Sequence, residues 1–198
     1  MMNTVSIPHE RDGDDVVGYG SYRILETFSG PADEADDPVL QYLRRKMLRA
    51  MEDFPELTGK TVTVGRLDPD EDALGQAQFW NLLVKFPVDD VTSWRTVYHE
   101  LAHLAIHVRN QRGEDVPPTS EPFCSIVGIS RMPVDLIDGG RIAYLGYPDV
   151  PREEWPDICN RALEYRKERG ANSHYIQQCC YWLEIDERES RNPYCPNS

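Results

Sequence analysis

Lysine is scarce in this chain: only four of the 21 basic residues are lysine, and 34 acids leave a formal net charge of -13. A partner held by phosphate neutralisation needs a basic surface, so this balance argues against nucleic acid. Apolar runs of membrane length are also missing, which argues against a membrane-spanning helix. The first residues lack a basic region followed by an apolar stretch, so the expectation is a soluble, cytoplasmic protein without a secretory signal. Five cysteines (Cys124, Cys159, Cys179, Cys180 and Cys195) form an odd set without CxxC spacing. That set suggests neither a disulfide framework nor a cysteine zinc site, and the adjacent Cys179 and Cys180 read as small packed side chains. Nothing in the sequence sets the oligomeric state.

What is present is acid, and it is unevenly placed. Residues 1–37 hold nine acids against Arg11 and Arg23, and so carry seven of the thirteen net negative charges. An Asp-rich, Lys-poor surface suits a protein adapted to high salt, where screening is short and charge keeps chains apart; it equally fits an ordinary acidic cytosolic protein. The one basic cluster, Arg44, Arg45, Lys46 and Arg49, falls within a helical pattern and reads as a solvated helix face rather than a phosphate site. At 198 residues the chain is long enough for one well-buried core. The expected organisation is an acidic flexible arm over 1–16, a single domain over 17–190 and a loose tail over 191–198.

Local patterns supply the elements. Tyr19 to Phe28 suits a strand. Pro38 opens a helix carrying Leu40, Leu43, Met47 and Met51 at near 3.6 spacing, ending near Phe54-Pro55. Thr61 to Leu67 reads as a strand, and so does Gln78 to Phe86, closed by Pro87. The acidic run Asp68 to Asp72 between them lacks EF-hand spacing and reads as a solvated turn rather than a calcium site. Asp89 or Asp90 can cap the next helix, whose apolar face includes Val97, Leu101, Leu104 and Val108. Farther on, Asp138-Gly139-Gly140 is a tight turn and Arg141 to Leu145 an extended segment. Pro156 to Arg169, closed by Gly170, and Asn172 to Ile185 read as two C-terminal helices.

The helix that follows Asp90 also contains Tyr98-His99-Glu100-Leu101-Ala102-His103, an HExxH pattern. Residues four apart lie one above the other on a helix face, so two imidazoles can converge on one zinc ion. Glu100 sits on the flank of that face, where a carboxylate can take a proton from the ion's water without occupying the ion itself. A plain core helix explains the apolar stripe, but not two histidines and a glutamate at this spacing.

Catalytic zinc sites usually take three protein ligands and leave a fourth position open. His107 continues the four-residue step, but it lies about 12 Å beyond His99 along a helix axis, which suits a supporting or surface residue better than a ligand. Ile106 and Arg109 stand where a metzincin has glycine and a third ligand, so that class is excluded. After a polar loop from Asn110 to Asp115, Thr119 or Ser120 can cap a second helix with Pro122 in its first turn. Glu121 then projects from its start, eighteen residues beyond His103, the arrangement of gluzincin-type sites. Glu114 and Asp115 compete for the role from the loop, where a ligand is harder to position. Ser125, one turn after Glu121, is placed to orient a ligand.

The stretch from Thr96 to Pro133, with HELAH followed by a glutamate-led apolar helix ending in Arg131-Met132-Pro133, resembles the zincin-like metallopeptidases of the ImmA/IrrE and ArdC antirestriction groups. The likeness covers about a fifth of the chain. It implies a zincin-like α+β fold: a small twisted sheet packed on the HExxH helix, with an edge strand lining the cleft and additional helices C-terminal to it. Gln78 to Phe86 is the candidate edge, to which a peptide can add as a further strand. The implied activity is zinc-dependent peptide hydrolysis, with His99, His103 and Glu121 on the metal, Glu100 as general base, and a peptide or protein as substrate. Tyr144, Tyr147 and His174 are candidates for steadying the oxyanion. Two alternatives stay open: a zincin-fold interaction or antidefence protein acting by binding, and a SprT-like DNA-associated protease. Glu100 speaks against the first, because binding needs no base, and the missing basic regions speak against the second.

Overall fold

The computed structural model describes residues 3–5, 21–24, 38–67, 72–87, 92–138 and 151–169. Five strands, β1 (Asn3–Val5), β2 (Ser21–Ile24), β3 (Thr61–Arg66), β4 (Gln76–Gln78) and β5 (Leu83–Phe86), form one sheet in the order β1-β2-β3-β5-β4. β2, β3 and β5 run parallel, while β1 and β4 pair antiparallel at the two ends. Among the described residues four α-helices accompany it: α1 (Pro38–Glu52), α2 (Trp94–Gln111), α3 (Glu121–Arg131) and α4 (Trp155–Arg169). None of the described helices is long and apolar enough to cross a membrane. Asn3–Val5, placed by composition in a loose arm, instead pair with β2; the rest of 1–16, the predicted helix over 172–185 and the tail lie outside the described residues.

α1 supplies the crossover that parallel β2 and β3 require. Its Leu43, Met47, Ala50 and Met51, continued by Phe54, are buried at near 3.6 spacing. The basic cluster on this helix is only in part the solvated face its charges suggest: Arg45 is exposed, but Lys46 is not. Lys46 is buried, its ammonium donating to the Thr92 carbonyl at 2.5 Å and lying 4.5 and 5.0 Å from the Tyr42 and Trp94 rings. Arg49 bonds Asp53 at 2.8 Å. The long stem of Lys46 buries with the apolar face while its head finds a carbonyl and two π-faces, a combination that a charge count cannot register.

The apolar run from Gln78 to Phe86 is not one strand. Phe79–Asn81 form a single 3-10 turn, and Leu82 takes a left-handed conformation at φ 50°, reversing the chain into a hairpin. The edge strand is therefore β4, while β5 lies inside the sheet between β4 and β3. Leu82 packs on the core, and its carbonyl accepts from the Thr63 amide at 2.7 Å, which helps hold a backbone that side chains ordinarily avoid.

α2 is buried on more than the predicted stripe: Tyr98, Ala102, Ala105 and Ile106 join Val97, Leu101, Leu104 and Val108 in the core. The reason is that α2 packs against α1, α3 and β4, with α4 packed in turn on α3. Gly128 sets the α2–α3 spacing, since a Cβ there would lie 3.1 Å from the Tyr98 carbonyl and 3.2 Å from the His99 amide nitrogen. The result is the expected zincin-like α+β arrangement, a small sheet packed against the HExxH helix with further helices following it.

Candidate metal centre

α2 begins not at Asp89 or Asp90, which lie outside the described residues, but at Ser93, whose hydroxyl accepts from the Thr96 amide at 3.0 Å. A second anion completes this end from far along the chain. The Asp138 carboxylate accepts from the Trp94 and Arg95 amides at 2.8 and 3.3 Å, placing negative charge where helix amides point outward unpaired. The sequence shows Asp138 only as the first residue of a turn. At the other end Gly113, at φ +74°, stops the helix: its amide bonds the Asn110 carbonyl and the Glu114 amide bonds that of Arg109, a Schellman termination.

The next helix starts with Ser120 as its cap and Pro122 in its first turn, as expected, so Glu121 stands at its beginning. Seated close by Gly128, α3 brings Glu121 to the face of α2 that carries His99 and His103. Glu121 Oε2 lies 2.8 Å from His99 Nε2, Glu121 Oε1 3.5 Å from His103 Nε2, and the two Nε2 atoms are 3.3 Å apart. Nitrogens about 2.0–2.1 Å from a tetrahedral zinc stand roughly 3.3 Å from each other, so the imidazole pair has the separation such an ion needs. Two imidazoles and a carboxylate also form a suitable donor set for a divalent metal, and this is the cluster of that kind among the described residues.

Neither competing carboxylate joins it. Glu114 bonds Arg109 at 2.7 Å, and Asp115 takes both arms of the Arg166 guanidinium at 2.8 and 3.1 Å. His107 stays out as well, its ring 5.1 Å from that of Phe79. Tyr98 is a core residue whose hydroxyl bonds Asp53. Tyr144, Tyr147 and His174 lie outside the described residues.

Ser125 does what its position suggests, its hydroxyl lying 3.0 Å from His99 Nδ1. Metal coordination through Nε2 would leave the ring proton on Nδ1, facing the Ser125 hydroxyl. Burial, together with the neighbouring His99, pulls the His103 pKa below the usual histidine range, Glu121 opposing, which favours the neutral form that binds metal. The hydrogen bond from His99 holds Glu121 below the usual carboxylate range, against some desolvation. Cys124, three residues after Glu121, is a buried free thiol pushed well up by desolvation and by Glu121 and Glu100, and it is not among the three clustered donors.

Glu100 is buried next to this cluster, and its carboxyl is pushed up to about 7, chiefly by desolvation, with His99 opposing and Glu121 reinforcing. What confines it is the approach to β4. A Cβ at Gly75 would lie 2.7 Å from Glu100 Oε1, 2.9 Å from Glu100 Cγ and 2.9 Å from Thr96 Cγ2. The absence of a side chain at 75 thus lets the edge of the sheet run directly past the Glu100 carboxyl. Sequence reading missed Gly75 and Gly128, whose demands arise only when two elements meet.

The arrangement matches a zincin-type site of HExxH plus glutamate at the superfamily level. Comparison of the chain with protein-family models, with curated proteins and with solved structures gave no match in any of the three.

Proposed function

We propose that this protein is a zinc-dependent metallopeptidase, with His99, His103 and Glu121 as ligands and Glu100 as general base. The observation that carries the reading is the convergence of the three donor side chains to within 4.8 Å of one another on two helices, with the buried Glu100 carboxyl beside them. Zinc, when bound, supplies Lewis-acid polarisation of the scissile carbonyl and acidifies a water molecule. The chain does the rest. Ser125 orients the His99 ring, Glu100 takes the water's proton and passes it to the leaving amine, and the outer edge of β4 offers main-chain groups to an extended substrate. The resemblance to the ImmA/IrrE and ArdC groups supports peptide hydrolysis in particular, and Glu100 supports catalysis over binding alone.

The test separates metal from chemistry. Wild type and Glu100→Gln are expected to hold about one zinc per chain by elemental analysis, with Glu100→Gln failing to cleave a peptide library that wild type cleaves. Glu121→Ala is expected to lose zinc. Undiminished zinc in Glu121→Ala refutes the ligand assignment, and undiminished cleavage by Glu100→Gln refutes the base.

A further inference from the structure

Four large apolar side chains are exposed among the described residues: Tyr42, Leu74, Trp80 and Val134. Two of them stand at the ends of one three-residue strand. Leu74, 74 % exposed, immediately precedes Gly75 and β4, and Trp80, 67 % exposed, lies two residues past its last residue Gln78. Trp80 is not a loose side chain. Its ring meets Phe79 edge-on at 5.3 Å, and Phe79 in turn packs on His107 of α2.

The edge between them is undefended. Exposed strand edges normally carry charge, proline or a bulge, because unpaired amides and carbonyls recruit other chains. Yet from Ala73 to Val84 there is no charged residue and no proline, in a chain where 28 % of residues are charged. Among the described residues, β4 ends the sheet with only β5 as a neighbour. Gly75 ties the same edge to Glu100. An uncharged edge, flanked by Leu74 and Trp80 and continuous with a catalytic carboxyl, has one natural occupant, the segment to be cut.

We infer that Leu74 and Trp80 are specificity-determining residues, taking two bulky apolar side chains of an extended, non-acidic peptide laid along β4 across the metal centre. The inference rests on the peptidase reading above and narrows its substrate class. Leu74 and Trp80 are six residues apart, at most about 20 Å along an extended chain and less across the turn at Phe79–Asn81, so the two apolar side chains stand no more than about six residues apart in the substrate. The non-acidic preference follows from charge. An acidic segment would meet Glu100 and Glu121 and the field of a chain with net charge -13.

The experiment measures a matched set of fluorescent peptides: one with leucine or phenylalanine at both positions, versions with either position changed to alanine, and an acidic version. Each is assayed for cleavage by the zinc-loaded wild-type protein and for binding, by anisotropy, to Glu100→Gln. Trp80→Ala and Leu74→Ala are expected to raise KM on the doubly apolar peptide about tenfold each, with kcat little changed, and to weaken binding in the Glu100→Gln background to match. Against the peptide already lacking the matching side chain, each variant is expected to cost nothing further. Wild-type cleavage that neither substitution changes overturns the inference while the peptidase reading stands. Absence of wild-type cleavage with every peptide, despite bound zinc, overturns both. A dimer that Trp80→Ala converts to monomer, seen by sedimentation, assigns the edge to a second copy and also overturns the inference.

Discussion

Replacing Gly75 by alanine tests how tightly the sheet edge confines the proposed base. The glycine does not have a left-handed backbone, unlike Gly59 and Gly113, so the substitution acts through its new methyl group alone. That methyl would sit at 2.7, 2.9 and 2.9 Å from Glu100 Oε1, Glu100 Cγ and Thr96 Cγ2. Ordinary contact needs about 3.4–4 Å, so a gap of roughly 0.7–1 Å must open between β4 and α2. Neither Thr96 nor the Glu100 stem is free to swing away, since the Thr96 hydroxyl is hydrogen-bonded to that of Ser93 and Glu100 is buried. Displacement of a catalytic group by about 1 Å costs on the order of a hundredfold, near 2.7 kcal/mol in activation free energy. Overpacking should destabilise the fold by about 1–3 kcal/mol, against about 0.4–1 kcal/mol gained by restricting the unfolded chain. The assay is kcat and KM on one cleaved peptide, together with zinc content and urea unfolding. The expected result is a kcat down about a hundredfold, zinc near one per chain and a modest loss of stability. Gly59→Ala serves as the control, because its φ of +72° strains the backbone while its Cβ meets nothing, so stability should fall without a change in kcat. An unchanged kcat in Gly75→Ala would refute the claim that Glu100 must stay where β4 holds it.

Two further outcomes are expected. Ser125→Ala should weaken zinc affinity about 10–100-fold in chelator competition, with Ser125→Thr restoring most of it, because a hydroxyl at His99 Nδ1 fixes the ring. Glu56, which holds both arms of Arg131 at 2.5 and 2.6 Å, is raised by burial but lowered more by that pair, so its folded pKa lies below the ordinary value. Its stabilisation is therefore present above an unfolded pKa of about 4.3 and is lost as pH falls through the folded value. Glu56→Gln should cost about 2–3 kcal/mol at pH 7 by urea unfolding, with the difference from wild type shrinking below pH 4; a difference constant down to pH 3 would contradict the ion-pair account.

His99, His103 and Glu121 were legible in the sequence because each depends on local rules: helix periodicity, a cap followed by proline, and the distance a loop can span. Ser125 followed for the same reason, one turn from Glu121. What the sequence hid depends on contacts between elements distant along the chain. Asp138 reaches the start of α2, Lys46 buries its charge among Tyr42, Trp94 and a carbonyl, and Gly75 and Gly128 are small because another helix or side chain needs their space. The β4–β5 hairpin was hidden differently. Its turn is built from Phe79, Trp80, Asn81 and a left-handed Leu82 rather than from glycine, so apolar continuity masked the reversal.

The Asp138 contact has a consequence for the order in which the site is made during synthesis. The Trp94 amide waits for a carboxylate 44 residues downstream, an interval of roughly 2–9 s at about 5–20 residues per second. His99 and Glu100 are thus translated well before the start of their helix is anchored, and Glu121 emerges within the same interval. The emerging chain holds an HExxH segment before it holds the carboxylates that complete its centre and anchor its helix.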